Sequence, residues 1–135
     1  MGKFNSLEDK VVVIAGGAKN LGGLLSTTYA KDGAKLVIHY HDEKSLDDAK
    51  ATLSKVEELG GEGTLFSGDL TKVSNVQALF QHAEETFGKV DIAINTVGKV
   101  LKKPISETTE EEFDSMADIN AKSAYFFIKY AEKAM

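Results

Sequence analysis

The chain of 135 residues contains no cysteine, which excludes disulfides, thiolate metal sites and cysteine nucleophiles. Positive charge is scarce as well: 16 Lys and Arg stand against 21 Asp and Glu, for a net charge of −5. The basic residues form no stripe, and a phosphate backbone needs clustered cations, so no nucleic acid is expected as a partner. No apolar run approaches the length of about 20 residues that crosses a bilayer, so no membrane partner is expected. The polar opening "MGKFNSLEDK" has no signal-peptide core. The histidines are not arranged with carboxylates at ligand spacing, so no metal is expected. Repeats, linkers and low-complexity tracts are also missing. A single cytoplasmic domain over residues 1–135 is the expectation, and 42% apolar content is enough to give it a core. Gly2 and Ser6 fit the myristoylation pattern M-G-x-x-x-[ST]. A leader ahead of the first strand accounts for them equally well.

What is present is alternation. Four apolar, strand-like runs occur at Val11–Ala15, Leu36–Tyr40, Thr64–Ser67 and Val90–Asn95. Helical spacing fills the gaps between them. Leu46, Ala49, Leu53, Val56 and Leu59 form one stripe, ended by Gly60 and Gly61. Val76, Leu79, Phe80, Ala83 and Phe87 form another, with Ser74 and Gln77 as a capping box and Gly88 at the end. Thr109 with Glu112 caps a last helix that carries Phe113, Met116, Ile119 and "AYFFIKYA". The strands are continuously apolar, as strands covered on both faces are. Strand–helix alternation of this kind predicts a doubly wound, Rossmann-type α/β fold, a parallel sheet with helices on both faces. Ligands of such sheets bind beyond the carboxyl ends of the strands, so function is sought there.

After the first strand comes Gly16-Gly17-Ala18-Lys19-Asn20-Leu21-Gly22. Gly16 permits a tight turn and Gly22 lets the new helix lie close to the sheet. Amides at that helix start can receive a pyrophosphate, helped by the helix dipole. Asn20 stands where a glycine would be usual, and Asn is the side chain that best tolerates a left-handed backbone. A glycine-rich packing turn without a ligand has the same sequence pattern. The second strand ends in Tyr40-His41-Asp42, where dinucleotide sites usually carry an acid for the ribose 2′-hydroxyl. Tyr40 is not acidic, and His41 and Lys19 can face the same place, which suits a 2′-phosphate and so NADP over NAD. Against this, His39 and His41 can be read as ordinary strand and loop surface, and Asp42 as a helix cap. The third strand ends in Asp69-Leu70. Asp69 can accept from an adenine amino group, or cap the next helix with Thr71. The fourth ends in Asn95-Thr96-Val97-Gly98, either a nucleotide-facing edge or a plain turn.

Taken together, these segments resemble the short-chain dehydrogenase/reductase family along the whole chain. "AGGAKNLG" resembles the family's TGxxxGxG, with Gly16, Asn20 and Gly22 at the glycine positions and Ala15 in place of threonine. "GDL", with Asp69 and Leu70, resembles the adenine-pocket motif, and "INTVG" resembles NNAG. "DINAKSAYFF" resembles the segment bearing the asparagine of the catalytic tetrad, which here is Asn120. The resemblance implies cofactor contacts from Gly16, Lys19, Asn20, Leu21, Gly22, Tyr40, His41, Asp69, Leu70, Asn95, Thr96 and Gly98. It also implies a mechanism in which a tyrosinate exchanges a proton with the substrate oxygen, a serine positions that oxygen, and hydride passes to or from the nicotinamide. A tyrosine must be tuned by its neighbours for this, because it ordinarily titrates near pH 10.

"YFFIK" has the family's Tyr-x-x-x-Lys spacing, yet it begins only five residues after Asn120, amid phenylalanines. Tyr125 is therefore read as a packing residue, and the chain as the first half of a family member. The favoured reading is an NADP-dependent oxidoreductase that interconverts a carbonyl and an alcohol, with a small-molecule substrate. The alternative is a non-catalytic dinucleotide-binding or regulatory module. A methyltransferase-like domain fits the glycine turn but not "INTVG" or Asn120. Lys99, Lys102 and Lys103 either meet an anionic substrate or belong to a solvated loop. "AYFFIKYA" is apolar almost all round its helix, which predicts burial by self-association, and the resemblance implies a homodimer or homotetramer.

Overall fold

Four of the five residues of Val11–Ala15 are β-branched, and their stiff side chains favour an extended chain. They form β1, every residue of which is buried. The computed structural model describes residues 7–135, and the myristoylation pattern at Gly2 and Ser6 lies outside them. β2 (Lys35–Tyr40) pairs with β1 in parallel, Val12 opposite Leu36. β4 (Ile92–Asn95) pairs with the other side of β1, Val13 opposite Ala93. β3 (Glu62–Ser67) lies outside β2, so the order is β3-β2-β1-β4 and every strand runs the same way.

Successive side chains on a strand point to opposite faces, so β1 divides its residues between two cores. Val11, Val13 and Ala15 pack with Val76, Leu79 and Phe80 of α3 (Val73–Phe87) and Phe127 of α5 (Ser123–Ala134). Val12 and Ile14 pack with Ala30 of α1 (Asn20–Lys31) and with Ala49 and Val56 of α2 (Leu46–Glu58). Helices thus cover both faces of a parallel sheet, and the doubly wound expectation holds. Gly88 ends α3 in the left-handed conformation, φ 83°. The Thr109–Glu112 capping box is present at α4 (Glu110–Ala117).

Three expectations need correction. The Ser74–Gln77 capping box does not form, because α3 begins earlier, at Val73 with Lys72 as its cap residue. Asp69 draws this start back by accepting from Thr71, while its carbonyl accepts from the Asn75 side-chain Nδ2 at 2.9 Å. Next, the last helix is not continuous: a π-helical turn, Asp118–Lys122, separates α4 from α5. Finally, α5 is not buried all round. Ser123, Phe127 and Ala131, four residues apart, face the core, while Tyr125 and Ile128 are each 68% exposed. The sheet touches one face of the helix only. Tyr125 therefore packs edge-on against its neighbour Phe126 and not in the core.

Phe80 meets Phe127 edge-to-face at 5.0 Å and joins α3 to α5. Phe80→Ala is expected to cost roughly 3–5 kcal/mol of unfolding free energy, measured by urea denaturation.

Candidate functional site

Parallel pairing brings the carboxyl ends of all four strands to one edge of the sheet. The strand order reverses there between β1 and β4, so the loops leaving these strands diverge and open a crevice. A cleft of about 410 Å³ lies at this point. Gly16, Lys19, Asn20, Leu21 and Gly22 line one wall, His39 and Tyr40 another, and Asn95, Thr96 and Gly98 the third.

The glycine turn is built by close approach. Gly16 has φ +72°, and a Cβ there would lie 2.6 Å from Thr96 Oγ1. A Cβ on Gly22 would collide with the Gly16 carbonyl and sit 2.9 Å from Gly17 Cα. Asn20 takes φ 55°, the left-handed conformation expected of it. Ser26, buried in α1, reaches the Gly17 and Gly22 carbonyls at 2.9 Å and ties the helix to the turn. No side chain caps the start of α1. Its first amides have no intrahelical acceptor either, so they are left as donors toward the cleft.

His39 is the residue that sequence reading missed. It is 2% exposed, not surface as one reading had it. Nδ1 accepts from the Gly16 amide at 3.0 Å, and Nε2 lies 2.7 Å from the Gly68 carbonyl. An amide only donates and a carbonyl only accepts, so the ring is neutral with its proton on Nε2. Burial pushes its pKa from 6.5 down to about 4, against the upward pull of the Gly68 carbonyl. The signal for this role was a histidine inside the otherwise apolar "LVIHY".

A second cleft, about 710 Å³, is lined by His41, Asp69, Thr71, Gly98 and Asp118, among others. Asp69 Oδ1 accepts from the Thr71 amide at 2.9 Å and from its hydroxyl at 2.7 Å. Partial burial raises the Asp69 pKa, but these hydrogen bonds outweigh it and hold the carboxyl below its usual range. Asp69 therefore caps the turn and still faces a cleft. Both of the readings left open for it are physically compatible.

A family model described as enoyl-(acyl carrier protein) reductase matches residues 16–135. The chain belongs to the short-chain dehydrogenase/reductase family. A hydroxynaphthalene reductase-like protein of Metarhizium anisopliae is 32% identical over 126 residues, which are 93% of this chain and 46% of that protein. The structure of a Burkholderia cenocepacia dehydrogenase with bound NADP is 52% identical, with a TM-score of 0.93 over 96% of this chain and 49% of that one. The NADH-dependent reductase A1-R′, complexed with NAD, is 26% identical, with a TM-score of 0.90 over 98% of this chain and 54% of that one. The chain spans about half the length of the relatives it matches.

The positions that resemble this short-chain dehydrogenase/reductase family's motifs are not all brought to one place. Lys19 and Tyr40 line the first cleft, His41 and Asp69 the second, and Gly98 both. Lys19 Nζ also lies 3.9 Å from Asp48, with both side chains about half exposed. Asp42 caps the short helical turn after β2, as one reading expected. Leu70 is 2% exposed and packs in the core with Val76 and Phe80, so it lines neither cleft. Asn95 Oδ1 accepts from the Val97 amide at 2.9 Å and shapes the turn after β4. Asn120, on the π-helical turn, grips Lys99 twice: its Oδ1 accepts from the Lys99 amide and its Nδ2 donates to the Lys99 carbonyl, each at 2.9 Å. Lys103 is paired with Glu112 at 2.9 Å. Among the described residues no His/Asp/Glu group has metal-binding geometry, and no helix is long and apolar enough to cross a membrane.

The lowered pKa of His39 sets a pH dependence. The unfolded chain takes up this proton near pH 6.5 and the folded chain only near 4, so stability falls as pH drops through that window. The loss attributable to His39 is expected to approach about 3 kcal/mol, at ~1.4 kcal/mol per pH unit. Urea titrations from pH 7 to pH 4, with His39→Gln as the comparison, check it: the variant should lack this component.

Proposed function

We propose that the chain is the cofactor-binding half of an NADP-dependent oxidoreductase that interconverts a small-molecule carbonyl and its alcohol by hydride transfer. The observation that carries this reading is the uncapped start of α1, its amides turned to the cleft at the β1/β4 reversal, beside a glycine contact that leaves no room for a Cβ. These donors and that cradle fit a pyrophosphate. Asn20 and Leu21 would offer it their amides, while Gly16 and Gly22 keep the turn close and clear. Asn95, Thr96 and Gly98 form the opposite wall, against which a nucleotide can lie. Asp69 is held ionised and would accept from the adenine amino group. When bound, the nicotinamide supplies the hydride donor or acceptor.

The preference for NADP rests on the end of β2. Tyr40, the last residue of the strand, carries no carboxylate to repel a 2′-phosphate, and Asp42 beyond it is turned to the Lys44 amide. Lys19 lines the same cleft as Tyr40; its half-exposed pairing with Asp48 is of a kind that contributes little, so it can turn to a phosphate. The NADP-bound relative shares more sequence with this chain than the NAD-bound one does, which supports the same choice. Asn120 would act by pinning the Lys99 backbone, and so the loop leaving β4, in the position that the chemistry needs. Tyr125 and Lys129 line neither cleft, so the tyrosine and lysine of the family mechanism are assigned to the half of the relatives that this chain does not span. The exposed face of α5, with Tyr125 and Ile128, is assigned to a homodimer or homotetramer contact. A cytoplasmic location accompanies this reading.

Fluorescence titration of the 135-residue chain is expected to give about tenfold tighter binding of NADPH than of NADH, one charge-assisted contact's worth. Tyr40→Asp should move the preference toward NADH. Equal or reversed affinities in the parent chain would sink the NADP assignment.

The 135-residue chain should bind cofactor yet show no hydride transfer. In a chain extended to the length of its relatives, Asn120→Ala should lower kcat on the order of 100-fold, as displacement of a catalytic loop does. Cofactor affinity should be nearly unchanged. Steady-state kinetics decide both points, and a variant of normal rate would show that the pinned loop has no part in the chemistry.

A further inference from the structure

We propose that His39 is a positioning residue that sets the spacing between the phosphate-binding and adenine-binding ends of the cofactor site. The inference rests on reading the first cleft as a dinucleotide site. Its ring spans two strand ends. On one side it accepts the amide of Gly16, the residue that starts the glycine turn. On the other it donates to the carbonyl of Gly68, the residue just before Asp69. Its own carbonyl accepts the Gly17 amide at 2.9 Å. Two consecutive amides of the turn are therefore spent on His39 and cannot meet a ligand. The donors left for a phosphate are those further on, at the start of α1, so His39 selects which amides face the cleft.

The same contacts are not needed to hold the sheet together. β2 pairs through its backbone with β3 along its whole length, to Tyr40 opposite Ser67, and with β1 as far as Ile38 opposite Ile14. What the ring adds is a bridge across the carboxyl ends of three strands, between loops that backbone pairing has already released. With the ring's donor and acceptor lost, Gly16 keeps a buried amide without a partner, and the turn is free to shift relative to Asp69.

Two variants and two ligands test this. His39→Phe keeps a planar ring of similar size and removes both hydrogen bonds. His39→Gln keeps one acceptor and one donor. Calorimetric titration with NADPH is expected to show affinity falling roughly tenfold or more in His39→Phe, the loss that goes with an unpaired buried amide. His39→Gln should stay within about threefold of the parent chain. Adenosine 2′-monophosphate occupies only one end of the site, so its affinity should change less than about twofold in either variant; a general loss of structure would weaken both ligands alike. NADPH binding by His39→Phe within twofold of the parent overturns the proposal. So does a parallel loss of both ligands, or a folded His39→Gln chain as weak as His39→Phe. Should His39→Phe not fold, a folded His39→Gln chain that binds NADPH more than about tenfold more weakly than the parent overturns the proposal. Failure of the parent chain to bind NADPH and NADH at all would overturn the cofactor reading itself, a result distinct from any of these.

Discussion

The contact on which the site depends is the approach of α1 to the end of β1, where Gly22 meets the carbonyl of Gly16 with no space for a side chain on either. A helix held further from the sheet would aim its first amides past the crevice. Asn20 in a left-handed conformation, and Ser26 bonded to the turn from inside the helix, hold the chain to that approach. Donor groups that an ordinary helix would satisfy with a capping side chain are left open at the β1/β4 reversal, and the topology places a crevice in front of them. A cleft made this way is shaped by backbone geometry, and few of the residues lining it carry charge.

Around that contact the polar groups are arranged as ties between loops. His39 joins the turn after β1 to the end of β3. Thr96 reaches back from the β4 loop to the Ala15 carbonyl at 2.7 Å. Asn120 holds the next stretch of that loop from the π-helical turn. The extra residue in a π turn rotates α5 relative to α4, and such turns are frequent at functional sites. Here it lets Asn120 face Lys99 while Ser123 and Phe127 still face the core. Each tie leaves a loop fixed that backbone pairing has already released, and rigid loops over a pre-formed cleft reduce the ordering a ligand must impose.

Much of the fold was legible in the amino-acid order because it depends on local pattern. The apolar strands, the helical stripes of α2 and α3 and the Thr109–Glu112 capping box arise from periodicity and short-range hydrogen bonding, and they were found where the pattern put them. The glycine turn was legible too, since left-handed conformations restrict which residues can occupy Gly16 and Asn20. The start of α3 was not: Ser74 and Gln77 match a capping box, but an Asx turn at Asp69 and Thr71 begins the helix before them.

Only the tertiary structure decided the rest, and the reason is the same each time. The pairing of His39 with Gly16 and Gly68 joins residues 23 and 29 positions apart, and that of Asn120 with Lys99 joins residues 21 apart, so no local pattern contains them. The same holds for which face of α5 the sheet covers, and for the division of Lys19 and His41 between two clefts. Sequence by itself determined which segments are strands and helices and where the chain must turn, because those depend on a residue and its near neighbours. Which polar groups meet across the strand ends depends on how the segments pack, and only folding brings those groups within hydrogen-bond reach.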